Sequence, residues 1–276
     1  MSVDLGLKLS RLVVLLAVTF ITLLVTGCGA LNNGRSWGQG AIYPVDLKRI
    51  PRAAYDGFFD LQTLIPAAGT LVFAVGGFDE KASDWAAGNN PIFGSEDAAK
   101  HASSSLLGVL GAETLVTALA TPSGDDPKDW TYSKMKGTGV ELVALGATAG
   151  ATELIKKTTG RERPNDGGNT SFPSGHSSGA FSLATLANRN LNSIPLPDKG
   201  KLALQAGNIL LATSVAWARV EGRKHFPSDV LAGAALGHFL SAFIHDASLG
   251  LPEDKRFGCV IFPLEGGAMT QFYLAF

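Results

Sequence analysis

Six segments of helical length, separated by short breaks, constrain the fold of this chain more than any other feature. Each segment is about 15 to 25 residues long and ends at a cluster of Gly, Pro, Asn or Asp, the clearest clusters being 122–127 and 192–200. Short links between apolar helices favour an all-α fold, so we expect a compact bundle of about six helices. The predicted helices cover 61–78, 95–120, 133–158, 174–192, 199–220 and 227–247.

The end of the chain has a different pattern. Segments 257–262 and 269–276 are rich in aromatic and β-branched residues and flank Gly266-Gly267, which predicts a C-terminal β-hairpin. Together with the N-terminal features below, this divides the chain into four parts. We expect a signal segment at 1–27, a tether and N-terminal segment at 28–60, a helical domain at 61–250 and a hairpin tail at 251–276.

The N-terminus has the layout of a secretory signal. Lys8 and Arg11 precede an uncharged run, 12–25, which ends in Val-Thr-Gly-Cys28. A cysteine directly after small residues resembles a bacterial lipobox, which implies lipidation of Cys28, removal of 1–27 and attachment to a membrane outside the cytoplasm. Gly29 is not the Asp that marks inner-membrane retention in many lipoproteins, so the outer membrane facing the periplasm is preferred. An ordinary signal peptide or a single anchor helix is the alternative.

Charge and hydropathy limit the partners of the chain. A net charge of -1 leaves no basic surplus for a nucleic-acid backbone, so we expect no DNA or RNA partner. The mean hydropathy of +0.18 is high for a soluble protein, yet the helices are dominated by small residues and contain Glu113, Glu141 and Glu153. We therefore favour a tightly packed extracytoplasmic bundle over an integral membrane bundle. The oligomeric state is left open.

Three cations and one predicted helix start point to an oxyanion site. Lys156 and Arg219 each fall in the last turn of a predicted helix, and Arg163 lies in the loop after the first of these helices. Three fixed positive charges suit a phosphate dianion, which arginines bind in bidentate fashion. Ser174 and Gly175 begin another helix, whose N-terminal N–H groups attract anions.

Two histidines are the candidates for the reacting side chains at this site. His225 and Asp229 are four residues apart at a predicted helix start, so the carboxylate is expected to reach the imidazole, fix its tautomer and leave the other nitrogen as a nucleophile. His176, on a different helix, is placed to protonate a leaving oxygen as a general acid. The two roles require opposite charge states, neutral for His225 and protonated for His176.

The spacing of these residues resembles the type 2 phosphatidic acid phosphatase superfamily, which includes bacterial non-specific acid phosphatases and, more remotely, vanadium haloperoxidases. The resemblance implies an α-helical core, a covalent phosphohistidine on His225 with His176 as the acid, and hydrolysis without a metal. Ala218 stands where the family has a Ser, so one secondary phosphate or positioning contact is expected to be missing, while every group that the mechanism requires is retained. The three matching blocks are Lys156…Arg163-Pro164, Pro173-Ser174-Gly175-His176 and Ala218-Arg219…His225…Asp229.

Three functional classes follow from these observations. The first is a phosphatase for phosphomonoesters or lipid phosphates and pyrophosphates; the second is a vanadate-dependent haloperoxidase-like enzyme; the third is a non-catalytic envelope lipoprotein that keeps the fold. No His-x-x-x-His or Cys-x-x-Cys pair is present, so we expect neither a metal nor another cofactor. We favour the phosphatase, because every group that its mechanism requires is present.

Overall fold

A computed structural model describes residues 27–41, 47–251, 257–264 and 267–274, with side chains for the first two ranges. A 3-10 helix, Trp37–Gly40, precedes the α-helices, and two strands follow them. The α-helices are α1 (Arg49–Phe58), α2 (Leu61–Val75), α3 (Phe78–Asn89), α4 (Glu96–Ala120), α5 (Pro127–Thr159), α6 (Gly175–Ser193), α7 (Asp198–Glu221) and α8 (Pro227–Leu249). The strands, β1 (Phe257–Leu264) and β2 (Gly267–Leu274), pair antiparallel, with Leu264 opposite Gly267.

The predicted fold class, a compact bundle of about six helices, is wrong. The described residues contain eight α-helices, of which α1 and α3 were not predicted. Both are short, and α3 carries four charged side chains in 12 residues and buries only Asp79, Ser83 and Ala86. Helix α3 lacks the apolar character by which the other segments were recognised, whereas α1 is amphipathic but only ten residues long.

Helices α6 and α8 pack at very short range in the centre of the bundle. A Cβ added to Gly237 of α8 would overlap the Ser178 carbonyl of α6, and one added to Gly233 would overlap the Ser174 carbonyl. Glycine at these two positions therefore allows backbone-to-backbone contact. As a result the N-terminal ends of α6 and α8 lie side by side, and the Ser174 N–H donates to the Asp229 carbonyl at 2.9 Å.

The segment 27–41 packs against the connection between α4 and α5. The Trp37 side chain is fully buried, its backbone N–H donates to the Pro122 carbonyl at 2.8 Å, and the Gly38 N–H donates to Ser133 Oγ at 2.9 Å. Gly137 of α5 leaves the space that the indole ring fills. The described part of the predicted tether is thus attached to the bundle at one end of α5.

Large apolar side chains face outward on several helices. Two described helices, α4 and α8, are long and apolar enough to cross a membrane, and α1 with α2 would make a third if this pair, bent by 51°, is one span. Many of the small residues of these helices are buried, where they permit close packing. The exposed apolar residues include Ile65, Leu71, Val72 and Val75 on α2, Val109 and Leu115 on α4, Leu142 and Val143 on α5, and Leu202, Leu204 and Leu210 on α7.

Candidate active site

Four helix ends meet at the end of the bundle remote from Trp37. Helices α5 and α7 end here, and α6 and α8 begin here. Lys156 and Arg219 are in the last turns of α5 and α7, while Ser174 is the N-cap of α6 and Asp229 lies in the first turn of α8. The helix ends therefore bring together residues from all three sequence blocks.

The three predicted cations share this location, and two of them are buried. Lys156 and Arg219 are each less than a tenth exposed, and Arg219 donates to Ser103 Oγ of α4 at 3.0 Å. Arg163 is held in its loop by a 3.1 Å hydrogen bond to Thr170 Oγ1. The buried Nε–H groups of Arg163 and Arg219 have no hydrogen-bond acceptor among the described residues. These two donors are available to an anion.

Burial and a neighbouring positive charge affect the pKa of Arg219. Burial and the nearby charge of Arg163 lower the pKa of Arg219 to about 10. Bringing an anion between them would relieve this repulsion, which favours phosphate-like ligands. Gly175 lies beside this cluster, where a Cβ would be in ordinary van der Waals contact with Lys156 Nζ, at 3.7 Å.

The start of α6 differs in one respect from the expectation. Because the Ser174 N–H donates to the Asp229 carbonyl, it is engaged in holding α6 to α8. Ser174 Oγ caps its own helix by accepting from the Ser177 N–H at 3.4 Å. Gly175 is the first residue of α6, and an N–H at this position has no intrahelical acceptor. Of the two predicted backbone donors, Gly175 is therefore the one that can face an anion.

His225 is oriented by a carbonyl group. Its Nδ1 lies 2.7 Å from the Ser171 carbonyl oxygen, which can only accept, so Nδ1 carries the proton and Nε2 has the free lone pair. Asp229 Oδ2 is 3.8 Å from Nδ1, too far for a hydrogen bond. The predicted direct contact is replaced by an indirect one, because Asp229 Oδ2 accepts from Ser171 Oγ at 2.6 Å. Burial lowers the pKa of His225, which keeps the imidazole neutral.

His176 lies at the mouth of the same site. It is half-buried in the first turn of α6, and its Nε2 is 3.4 Å from Ser104 Oγ of α4. Burial and the charge of Arg219 lower the pKa of His176 to about 4. A bound dianion would reverse the electrostatic part of this shift and favour the protonated ring that a general acid needs.

Several residues around the site were not predicted. Ser103 and Ser104 of α4 contact Arg219 and His176, and nothing in their sequence context marks them. Arg161 donates to both Asp229 and Asp79, and only the position of Arg161 two residues before Arg163 is suggestive. Within the described residues, no group of three or more His, Cys, Asp or Glu side chains is arranged to hold a metal ion.

The helix ends thus bring buried His225 into the same region as Lys156, Arg163 and Arg219. Residues 139–249 match the PAP2 superfamily, which confirms the family indicated by the three sequence blocks. The match and the shared fold support a phosphatase in general terms.

One solved structure has the same fold. It is the crystal structure described as the first transmembrane PAP2-type phosphatidylglycerolphosphate phosphatase, from Bacillus subtilis. The two chains are 22% identical and superpose with a TM-score of 0.51, over 75% of this chain and 99% of the other. No curated protein matches this chain significantly.

Proposed function

We propose that the protein is a metal-independent phosphatase that forms a phosphohistidine on His225. The observation that carries the proposal is the fixed tautomer of His225, whose Nε2 lone pair belongs to a buried neutral ring beside three cations. A nucleophile of this kind divides a difficult displacement into two easier steps. The PAP2 fold of the domain supports the same class of reaction.

The reaction is a double displacement. His225 Nε2 attacks phosphorus, the bond from phosphorus to the leaving oxygen breaks, and protonated His176 gives its proton to that oxygen. His176, now neutral, takes a proton from water, which attacks the phosphohistidine and releases inorganic phosphate and free His225. Lys156, Arg163 and Arg219 stabilise the equatorial oxygens, where negative charge accumulates in both transition states.

The substrate we propose is a phosphorylated lipid, either a phosphomonoester or a pyrophosphate. A PAP2 phosphatase fold is consistent with a lipid phosphate, and this bundle has an apolar exterior that suits a lipid environment. Helices α4 and α8 are long and apolar enough to cross a membrane, and the stretch of α7 between Lys201 and Arg219 carries no charge. The exposed hydroxyls of Thr213 and Ser214 in this stretch donate to carbonyls of the same helix, as a lipid-facing surface requires.

Phosphate release tests the proposed function. Purified protein is expected to hydrolyse p-nitrophenyl phosphate and, faster, a phosphatidate or lipid pyrophosphate in mixed micelles, without added metal and in the presence of a chelator. Vanadate should inhibit, because it imitates the phosphoryl transition state. Halide oxidation stimulated by vanadate would instead favour the haloperoxidase class, and no activity with any ester would favour the non-catalytic lipoprotein.

We also propose that Cys28 is lipidated. Cys28 is exposed, and the next residue, Gly29, is bound to the connection between α4 and α5, where its carbonyl accepts from the Gly124 N–H at 2.7 Å. The lipid would therefore be fixed to the bundle. Ser133, close to this attachment, and Lys156 of the active site are about 35 Å apart along α5. The anchor and the site thus belong to opposite ends of the bundle.

Replacing the cysteine tests the anchor. Cys28→Ser is expected to block lipid attachment, which removes the diacylglyceryl mass of the mature protein in intact-mass spectrometry and prevents metabolic labelling with palmitate. Phosphatase activity in detergent should remain within about twofold, because Cys28 is remote from the site. Labelling that survives in the variant would contradict the anchor. Fractionation of the labelled wild type then decides between inner and outer membrane.

A further inference from the structure

Arg161 joins two buried carboxylates beside the nucleophile. Its NH1 donates to Asp229 Oδ1 at 2.8 Å, and its NH2 donates to Asp79 Oδ2 at 2.7 Å. The Asp229 side chain is fully buried, the Asp79 side chain is 8% exposed and the Arg161 side chain 31% exposed. The Phe226 ring lies under the guanidinium group, 4.5 Å from it, and limits its movement. Arg161 and Asp79 are not among the residues predicted to bind phosphate.

The contacts of Asp229 explain why it does not bind His225 directly. Its Oδ2 accepts from Ser171 Oγ at 2.6 Å and from the Phe226 N–H at 2.8 Å, while Oδ1 accepts from Arg161. The carboxylate is thus directed at Ser171 and Arg161. Ser171 in turn presents its carbonyl to His225 Nδ1, so the orientation of the nucleophile depends on where Arg161 holds Asp229.

Asp79 fixes Arg161 from the other side. It comes from the first turn of α3 and also accepts from the Ser228 N–H at 2.8 Å and from the Ser228 hydroxyl. Ser228 precedes Asp229 at the start of α8, so α3 holds both the arginine and the helix end that carries Asp229. All three of these donors to the Asp79 carboxylate come from Arg161 and Ser228.

We propose that Arg161 and Asp79 are positioning residues, which hold Asp229 on Ser171 and away from His225 so that the nucleophile is kept neutral and correctly oriented. The proposal rests on the proposed function in giving His225 the role of nucleophile. Its structural content is independent of that role, because it concerns only the charge state and tautomer of one histidine.

The charges around His225 allow the two residues to be tested against each other. The groups that influence its ring are Asp229 of α8, Arg219 of α7, His176 of α6 and Arg163 of the preceding loop, with Lys156 of α5 beyond His176. Removing Arg161 leaves the Asp229 carboxylate uncompensated, so Arg161→Gln should raise the pKa of His225. Removing the charge of Asp79 leaves Arg161 paired with Asp229 alone, so Asp79→Asn should lower it. A general loss of packing would not produce opposite shifts.

The experiment is an NMR titration of the full-length protein labelled with ¹⁵N,¹³C-histidine, with His225→Gln to assign the signal. The wild-type ring is expected to show the Nδ1–H tautomer. Arg161→Gln and Asp79→Asn should displace its titration in opposite directions, Arg161→Lys should restore most of the wild-type position, and the acid limb of kcat/KM should follow. Loss of activity at pH 7 should be about 10- to 100-fold for Arg161→Gln, as for other residues that orient a functional ligand.

The matched controls are Arg223→Gln and Asp84→Asn. Arg223 and Asp84 form a second contact between the loop before α8 and helix α3, at 3.6 Å, but this exposed pair does not contact Asp229. These variants make the same charge changes and should leave the His225 titration in place. Shifts in the same direction for Arg161→Gln and Asp79→Asn, or none, would overturn the proposal. Opposite shifts in a protein without phosphatase activity would support the positioning and reject the proposed function.

Discussion

His225→Ala is expected to abolish both turnover and covalent labelling. With a ³²P-labelled substrate, wild-type protein quenched rapidly at high pH should carry acid-labile phosphate, as a phosphoramidate bond on imidazole requires. Without the ring nothing can accept the phosphoryl group, so kcat should fall by about 10⁴-fold or more. The measurement is stoichiometric labelling in a quench-flow experiment beside steady-state phosphate release.

His176→Ala is the matched variant, because it removes the other histidine of the site. Loss of a general acid typically costs about 10²- to 10⁴-fold. Nitrophenolate needs little protonation to leave, so labelling from p-nitrophenyl phosphate should survive in His176→Ala, whereas turnover of an alkyl phosphate should be lost. Label that persists in His225→Ala would remove this histidine from the role of nucleophile.

Helices could be predicted from the sequence only where a segment has a regular apolar pattern and clear breaks at its ends. Helix α3 has neither feature, yet its Asp79 reaches Ser228 across 149 positions of the chain and fixes the start of α8. The exposure of the Leu and Val side chains could not be predicted either, because a weak apolar periodicity does not show which face of a helix is covered by neighbouring helices. The preference for an extracytoplasmic bundle over an integral membrane bundle rested on the predicted lipid anchor, and it stays a prediction.

The site was predictable to the extent that its chemistry lies in local spacing. The positions of Lys156, Arg219 and Asp229 at helix ends follow from where their helices start and stop. The link between Asp229 and His225 could not be inferred in the same way. Four residues at a helix start suggested direct contact, whereas the Ser171 carbonyl, contributed from 54 positions away, holds the imidazole. Hydrogen bonds between residues far apart in the sequence produce no periodic pattern from which they could be predicted.

Replacing the cations of the site is the second change that is expected to have a large effect on turnover. They are fixed at the site before the reaction, so they act more strongly on the transition state, where charge is spread over the equatorial oxygens, than on the ground state. We expect Arg163→Ala and Arg219→Ala each to lower kcat by about 10²- to 10³-fold, or roughly 3 to 4 kcal/mol. Lys156→Ala should be milder, because an ammonium makes a single-point contact.

Adjacent cations provide the controls for this series. Lys157 is exposed beside buried Lys156, and Arg223 forms an exposed ion pair with Asp84, so Lys157→Ala and Arg223→Ala should leave kcat within about twofold. Arg219→Lys should recover only part of the loss, since it keeps the charge but not the planar pair of donors. Vanadate affinity should decline in parallel with kcat/KM across the variants, because both report transition-state binding. If Arg163→Ala and Arg219→Ala raised KM and left kcat intact, the cations would bind substrate and transition state equally, and the proposed mechanism would have to be abandoned.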